Sequence, residues 1–272
     1  MENKNKRILI TGASSGTGAE TIKILHQSQY NVLPIGHSES KMRKVAEPLG
    51  LTYKLIDFSD LNNVIEVANS MSEPIIDVLA LNAGGIFGSK DFTKNGIETN
   101  LQVNAIAPLL FLLLLHQKSR IKNVILTTSD THKYETVSQL DLAQLKPLSS
   151  HRSYARSKLI ISVLLREFGR RNPQVKVVDF HPGIIVSDLG RHWGMTGRVL
   201  KFLTKPFLDA PVKGGERLAE LIGKNDLVNN GYYFKTKLSK GSKEFDNLIL
   251  GKLLWQAFEH LLASKNINIQ NL

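Results

Sequence analysis

The chain contains no cysteine, which excludes disulfide bonds, thiolate–zinc sites and thiol catalysis. No grouping of His, Asp and Glu has metal-site spacing, so no metal is expected. The most apolar stretch, residues 106–115, is ten residues long, whereas a membrane span needs about 20; it predicts a buried core helix. The N-terminus lacks the apolar run of a signal peptide. These absences are compatible with a cytoplasmic protein, which is the expected location.

Neither a linker nor a repeat divides the 272 residues, which predicts one domain over residues 1–272. The 35 Lys and Arg residues exceed the 24 Asp and Glu residues, for a formal net charge of +11. Such an excess can indicate binding to nucleic acid or to an anionic membrane. The basic residues are scattered and form no aromatic-interleaved motif, so nucleic acid is not an expected partner.

Short apolar runs alternate with amphipathic stretches. The runs predicted as strands are 7–11, 31–36, 52–58, 77–82, 122–129, 176–180 and 231–236. The stretches predicted as helices are 18–29, 61–71, 101–117, 153–170 and 244–263. The alternation predicts an α/β fold, a doubly wound, mostly parallel sheet of about seven strands with helices on both faces. Pro34 lacks the N–H that a central strand needs and is expected at a strand end or a bulge.

The stretch TGASSGTG, residues 11–18, follows the first predicted strand and opens the first helix. Its glycines, Gly12, Gly16 and Gly18, permit a tight turn and let a pyrophosphate approach the helix N-terminus. The spacing G-x-x-x-G-x-G differs from the usual dinucleotide fingerprint, and a P-loop is excluded because no Gly-Lys-Ser/Thr follows.

The end of the second predicted strand bears on the choice of cofactor. A carboxylate there binds the ribose 2′-OH of NAD, and a basic residue accommodates the 2′-phosphate of NADP. The chain has His37, Ser38 and Lys41 in this region, with Glu39 two residues late. These residues favour NADP(H) and leave NAD(H) open.

Tyr154 and Lys158 are four residues apart, so one helical turn places them on the same face. A free Tyr titrates near pH ~10, and a nearby cation is expected to lower its pKa. Such a phenol can exchange a proton with a substrate oxygen. The same spacing is common on solvated helix surfaces, so the pair gains meaning only from the other motifs.

Six motifs occur in order: TGASSGTG, LNAGG (81–85), Asn104, Ser129, YARSK (154–158) and HPG (181–183). With them the chain resembles the short-chain dehydrogenase/reductase superfamily, whose fold is of the Rossmann type, from about residue 6 to about residue 234. Residues 95–108 and 181–193 are similar to the branch of retinol dehydrogenases and WW-domain oxidoreductases.

The resemblance implies a catalytic set. Tyr154 is its general acid/base, and Lys158 lowers the tyrosine pKa and binds the nicotinamide ribose. Ser129 hydrogen-bonds the substrate oxygen, and Asn104 helps to hold a proton-relay water. The residues that the resemblance places at the cofactor are Gly12, Ser14, Ser15, Gly16, Thr17, Gly18, His37, Ser38, Asp57, Asn82, Ala83, Gly84, Tyr154, Lys158, Pro182, Gly183 and Ser187.

These assignments predict an NAD(P)(H)-dependent oxidoreductase that transfers hydride between nicotinamide and a carbonyl or alcohol carbon. Residues 188–226, the variable loop of the family, are expected to form a lid in which Trp193 and Met195 contact a bulky apolar substrate. The same segment could contact a membrane surface peripherally. Histidines 132, 151 and 192 are expected at the surface or the substrate rim.

An alternative is a catalytically silent dinucleotide-binding sensor or scaffold of the same fold. The presence of Asn104, Ser129, Tyr154 and Lys158 argues against it. The apolar stretches 105–115 and 159–165 could pair between subunits or lie in the core, which leaves a homo-oligomer open.

Overall fold

The structure is a computed structural model, and it describes residues 5–88, 91–138, 142, 148–185 and 209–268. These residues build one sheet in the order β3-β2-β1-β4-β5-β6-β7-β8. The strands are β1 (Arg7–Thr11), β2 (Asn31–Gly36), β3 (Lys54–Leu55), β4 (Ile75–Leu81), β5 (Arg120–Thr127), β6 (Lys176–His181), β7 (Gly231–Phe234) and β8 (Lys237–Ser239). Strands β1 to β7 pair in parallel, and β8 returns antiparallel to β7.

Helices cover both faces of this sheet. They are α1 (Gly16–Gln27), α2 (Glu39–Ala46), α3 (Leu61–Ser70), α4 (Thr99–His116), α5 (Ser150–Arg171), α6 (Pro211–Gly223) and α7 (Leu248–Ala263). One core joins the sheet to α1, α2 and α6, and a larger core joins it to α3, α4, α5 and α7. Strands covered on both faces carry continuous apolar runs, so the predicted doubly wound sheet is confirmed.

Helix α4 is, among the described residues, the one helix long and apolar enough to cross a membrane, yet 78% of it is buried within the fold. It packs against α3 and α5. Residues 106–115 are therefore a core helix, as predicted.

Pro34 lies inside β2, in register with β1, so its expected place at a strand end or bulge is wrong. The carbonyls of Ile35 and Gly36 accept hydrogen bonds from Ala13 and Ile56 respectively, on opposite sides of β2. Alternation therefore turns Pro34 towards the β3 side, where β3 begins only opposite Ile35. The missing N–H removes no ladder hydrogen bond.

Part of the segment predicted as a lid, residues 188–226, belongs to the helical layer of the fold. Its C-terminal part contains α6, which packs against α1 as part of the helical layer. This part of the lid prediction is wrong, because the buried residues of α6, Leu218 and Ile222 among them, belong to the core. Residues 186–208 lie outside the described residues.

Candidate active site

Side-chain hydrogen bonds connect the carboxyl ends of β1, β4 and β5. The hydroxyl oxygen of Thr11 accepts hydrogen bonds from the backbone N–H groups of Asn82 (3.0 Å) and Ala83 (3.1 Å). The Asn82 side chain donates to the Thr11 carbonyl (3.2 Å) and accepts from the Thr127 hydroxyl (3.1 Å). Ligands of open α/β sheets bind at this edge, and these bonds hold its three central strands in place.

A cradle without side chains lies at the same edge. Gly12 has a φ of +71°, and a Cβ there would lie 2.7 Å from the Ala83 Cα. A Cβ on Gly18 would lie 2.4 Å from the Gly12 carbonyl oxygen. Ser15 precedes α1 in extended conformation, and its side chain does not cap the helix. The first N–H groups of α1 can therefore bind phosphate, so this turn fits a dinucleotide pyrophosphate. Predicted cofactor residues Ser14, Ser15, Gly16 and Thr17 all belong to this turn or to the first turn of α1.

The end of β2 combines basic and acidic groups. The His37 side chain is 73% exposed, and its Nδ1 lies 3.8 Å from Oδ1 of Asp57. Ser38 precedes α2 as its N-cap residue. Glu39 pairs with Arg43 one turn further along α2, at 2.6 Å. The Glu39 carboxylate, which follows this strand end by a few residues, is thus paired with an arginine of its own helix.

Ser129 and Tyr154 meet from different elements. Strand β5 ends at Thr127, and Ser129 instead caps the 3₁₀ turn Asp130–Tyr134, so its predicted place at the end of the strand is wrong by two residues. Tyr154 lies in α5 and is 8% exposed, and the nearby Ser129 side chain acts to lower the pKa of its phenol. A hydroxyl and a phenol are thereby placed side by side.

Lys158 lies one turn after Tyr154, as predicted, and is buried. Its ammonium donates to the Thr127 carbonyl at 2.9 Å, and a Cβ on Gly84 would lie 3.0 Å from its Nζ. The Asn104 side chain exchanges two hydrogen bonds of 2.9 Å with the backbone of Gly85. Asn104 belongs to a π-helical turn, Gln102–Ile106, inside α4; such turns are frequent at functional sites.

The pKa values of this pair differ from the prediction. Burial raises the pKa of Tyr154 to about 12, and the nearby Ser129 side chain offsets only part of this effect. Burial lowers the pKa of Lys158 to about 8, against the attraction of Asp179. The predicted lowering of the tyrosine pKa by Lys158 is not seen for the protein groups themselves: burial sets the direction of the shift, and the lysine ammonium lies 5.9 Å from the ring centre. Near neutral pH the phenol carries its proton and can donate it.

The turn after β6 is held by an arginine that was not predicted from the sequence. Arg217 of α6 donates to the Pro182 carbonyl (2.6 Å) and pairs with Asp209 (2.6 Å). Gly183, with a φ of +94°, leaves room for this guanidinium. The predicted contacts Ser187, Trp193 and Met195 lie outside the described residues.

His132 is neither at the surface nor at a rim, which corrects that expectation. It is fully buried, stacks on Phe245 with 4.8 Å between ring centres, and bonds the Ser129 carbonyl through Nδ1. Sequence offered no signal for this packing, because Phe245 is 113 residues away (245 − 132).

Thr11 was not predicted as a site residue, although it stands first in the glycine motif.

A doubly wound sheet with a glycine cradle at its switch point, beside a buried tyrosine and lysine, defines the class of dinucleotide-dependent oxidoreductases. The chain belongs to the short chain dehydrogenase family, whose profile matches residues 6–196. It is an NAD(P)-dependent dehydrogenase/reductase, and the resemblance seen in its motifs is confirmed.

Three curated relatives illustrate the match. A protein of Streptomyces sp. (strain C5), provisionally named daunorubicin C-13 ketoreductase DnrU, is 31% identical over 93% of this chain and 91% of its own. Retinol dehydrogenase 14 of Homo sapiens is 28% identical over 84% and 77%. The WW domain-containing oxidoreductase of Gallus gallus is 27% identical over 96% and 69%.

Solved structures share the fold. An uncharacterised protein from Mycobacterium paratuberculosis superposes with a TM-score of 0.77 at 21% identity, over 97% of this chain and 94% of the other. BdcA in complex with NADPH superposes with a TM-score of 0.65 at 19% identity, over 89% and 97%.

Proposed function

We propose that the protein interconverts a carbonyl group and an alcohol on a bulky, apolar substrate, with Tyr154 as the general acid/base. The observation that carries the proposal is the buried Tyr154 phenol, whose pKa the nearby Ser129 side chain acts to lower, with the buried Lys158 one helical turn away. Two groups that can each donate a hydrogen bond to one oxygen, one of them close to a cation, suit the polarisation of a carbonyl.

A bound nicotinamide dinucleotide supplies or accepts the hydride. The turn containing Gly12, together with Asn82 and Lys158, would hold it. In the reductive direction Ser129 and Tyr154 donate hydrogen bonds to the substrate oxygen, and Tyr154 transfers its proton to that oxygen. Lys158 then returns a proton to the phenolate, through a water near Asn104. The directions of the two pKa shifts favour this transfer, since burial lowers the pKa of Lys158 and raises that of Tyr154. In oxidation the proton moves the opposite way.

NADP(H) is the proposed preferred cofactor. His37 stands exposed at the end of β2, where an acidic residue would favour NAD, and Glu39 is engaged by Arg43. The solved relative BdcA holds NADPH. Asp57 beside His37 opposes a 2′-phosphate.

A bulky apolar substrate is supported by the relatives, whose names point to a C-13 ketoreductase of daunorubicin and to retinol dehydrogenases. The cytoplasmic location, the single domain, the homo-oligomer and the peripheral membrane contact remain predictions.

The test of the mechanism is Tyr154→Phe. Loss of the proton donor should lower kcat by about 10²- to 10⁴-fold and leave the Kd for NADPH nearly unchanged, as measured by fluorescence titration. Tyr30→Phe is the matched control, because Tyr30 lies between α1 and β2, remote from Ser129, and should retain activity.

Full kcat in Tyr154→Phe on a substrate found by screening aldehydes, ketones and quinones would refute the assignment. Tight NADPH binding with no consumption across the whole panel would instead support the silent sensor or scaffold.

The test of the cofactor preference is His37→Asp. A carboxylate at this strand end should repel the 2′-phosphate and raise the Kd for NADPH while sparing that for NADH. His260→Asp, at an exposed position of α7, changes the net charge equally and should not alter the ratio of the two Kd values. An unchanged ratio in His37→Asp would contradict the proposed role of His37.

A further inference from the structure

One face of α5 carries a buried polar stripe at four-residue spacing: Tyr154, Lys158, Ser162 and Arg166. Ser162 is fully buried, Arg166 is 2% exposed and Lys158 is 3% exposed. Residues at this spacing are neighbours on a helix. Two cations on one buried face are costly unless an anion accompanies them, so the stripe requires a counter-charge.

Asp179 of β6 provides it. Its neighbours Val178 and Phe180 belong to the core on the α1 side, so alternation turns Asp179, which is 1% exposed, towards α5. The Ser162 hydroxyl donates to one carboxylate oxygen at 2.5 Å, and Arg166 contacts the other. Burial raises the pKa of this carboxyl, whereas Arg166 and the Ser162 hydroxyl act to lower it; both of its oxygens accept from donors, which suits the ionised form.

Arg166 is itself held from two further directions. It donates to the Asn230 carbonyl at 2.9 Å, and its guanidinium lies 3.9 Å from the centre of the Phe245 ring. Asp179 is therefore anchored at a defined position by Ser162, which lies one helical turn from Lys158, and by Arg166.

Lys158 has a neutral direct partner, the Thr127 carbonyl. The groups around it are the Tyr154 phenol on its own helix, Asn104 of α4 and Gly84 after β4. Beyond Ser162 lie Asp179 and Arg166. Among the described residues, Asp179 is the anion that acts on this lysine, and its attraction opposes the effect of burial on the pKa of Lys158.

We propose that Asp179 is a positioning residue for Lys158: an anchored, buried carboxylate that keeps the lysine ammonium in its charged form. The role rests on the proposed function of Lys158 in binding the cofactor and returning protons. Arg166 and Ser162 serve it by fixing the carboxylate. A charged residue inside the apolar run KVVDFH is unusual for a buried strand, and this role accounts for it.

The experiment titrates Lys158 directly. Protein labelled with ¹³C at lysine Cε is followed by NMR from about pH 6 to pH 11, and Lys158→Arg assigns the signal. The test variant is the double substitution Asp179→Asn/Arg166→Met, which removes both charges and leaves no guanidinium unpaired. Ser162→Ala, which keeps the charge and removes one anchor, is a milder second variant.

In the native protein Lys158 should titrate near pH 8. In the double variant the midpoint should fall by about one pH unit, and in Ser162→Ala it should fall by less. Glu167→Gln is the matched control: Glu167 is a buried carboxylate of the same helix that pairs with Arg170 and Arg171 instead, so the midpoint should not move.

An unchanged or higher midpoint in the double variant would overturn the proposal, because a purely structural ion pair would not alter the lysine titration. Should the double variant not fold, an unchanged midpoint in Ser162→Ala would do the same. Turnover of NADPH is measured separately. Absence of turnover in a native protein whose midpoint depends on Asp179 would refute the proposed function alone, whereas turnover with an Asp179-independent midpoint would refute this inference alone.

Discussion

At the scale of single residues, the neutral side chain of His132 holds the backbone of Ser129 in the candidate site. The Nδ1–H of His132 donates to the Ser129 carbonyl, since a carbonyl can only accept, which leaves Nε2 unprotonated. Nε2 is buried without a hydrogen-bond partner in the described part of the chain. Burial lowers the pKa of His132 to about 4. The position of Ser129 thus depends on a side chain that acid would protonate.

His132→Phe should make the fold less sensitive to acid. The unfolded histidine binds a proton near pH 6.5 and the folded one only near 4, so its contribution to stability is present above pH 6.5 and lost as the pH falls towards 4. The shift corresponds to about 3 kcal/mol. The free energy of unfolding is measured by urea titration at several values between pH 6.5 and pH 4. Its decrease over this range should be smaller in the variant than in the native protein by that amount.

The slope of stability against pH is the informative quantity here. Loss of the hydrogen bond to Ser129 offsets the whole curve without changing its slope. Equal slopes for the native protein and His132→Phe would contradict the prediction.

At the scale of elements, the position of the glycine cradle depends on the contact between α1 and α6. A Cβ on Gly214 would lie 2.5 Å from the Thr17 hydroxyl, and one on Gly215 would lie 2.5 Å from the Glu20 Cβ and 2.9 Å from its backbone carbon. The two helices approach this closely because α6 presents glycines to α1. The contact therefore sets where the first turn of α1 stands.

Gly215→Ala should push α1 away from α6, because backbone atoms cannot rotate out of the way. We expect a loss of about 1–3 kcal/mol in the free energy of unfolding and weaker NADPH binding. Gly223→Ala in the same helix is the control: its Cβ would meet only the Tyr30 hydroxyl, at 3.4 Å, so stability should be unchanged or slightly higher. Equal stability of the two variants would show that α1 and α6 separate freely.

At the scale of the whole molecule, a net charge of +11 surrounds a site that fits an anionic dinucleotide. Scattered basic residues raise the potential over the entire surface and not at one patch. Such a field attracts NADPH more strongly than NADH, because the 2′-phosphate adds negative charge.

The Kd for NADPH should therefore rise more steeply with salt than the Kd for NADH. Titrations from about 0.05 to about 0.5 M NaCl cover the range over which the Debye length contracts from more than 10 Å to a few Å. Equal salt dependence of the two Kd values would indicate that the positive charge of the protein does not distinguish NADPH from NADH.

Much of the fold followed from local patterns. The bounds of β1 and β2 were predicted to the residue, because continuous apolar runs bounded by Gly and Thr mark buried parallel strands. The third strand was predicted at 52–58 and spans only Lys54–Leu55, since an edge strand pairs only where its neighbour reaches it. Strand β8, Lys237–Ser239, has three exposed residues and no hydrophobic pattern that could reveal it.

The candidate site divides in the same way. The spacing of Tyr154 and Lys158 is local and could be predicted from the sequence, as could the glycine turn that ends at Gly18. The direction of the tyrosine pKa was not, because it depends on desolvation by elements far away in sequence. Arg217, on the far side of residues 186–208, reaches Pro182 only in the folded chain.

The order of residues alone determined the fold class, the family and the pairs set by one helical turn, since each depends on periodicity or on motifs within a few residues. Tertiary structure alone decided which charges are buried and what accompanies them. Asp179 reaches the stripe of α5 because β6 lies beside β5 and under that helix. Burial and the distance between charges are properties of packing, and they set the proton affinities on which the chemistry depends.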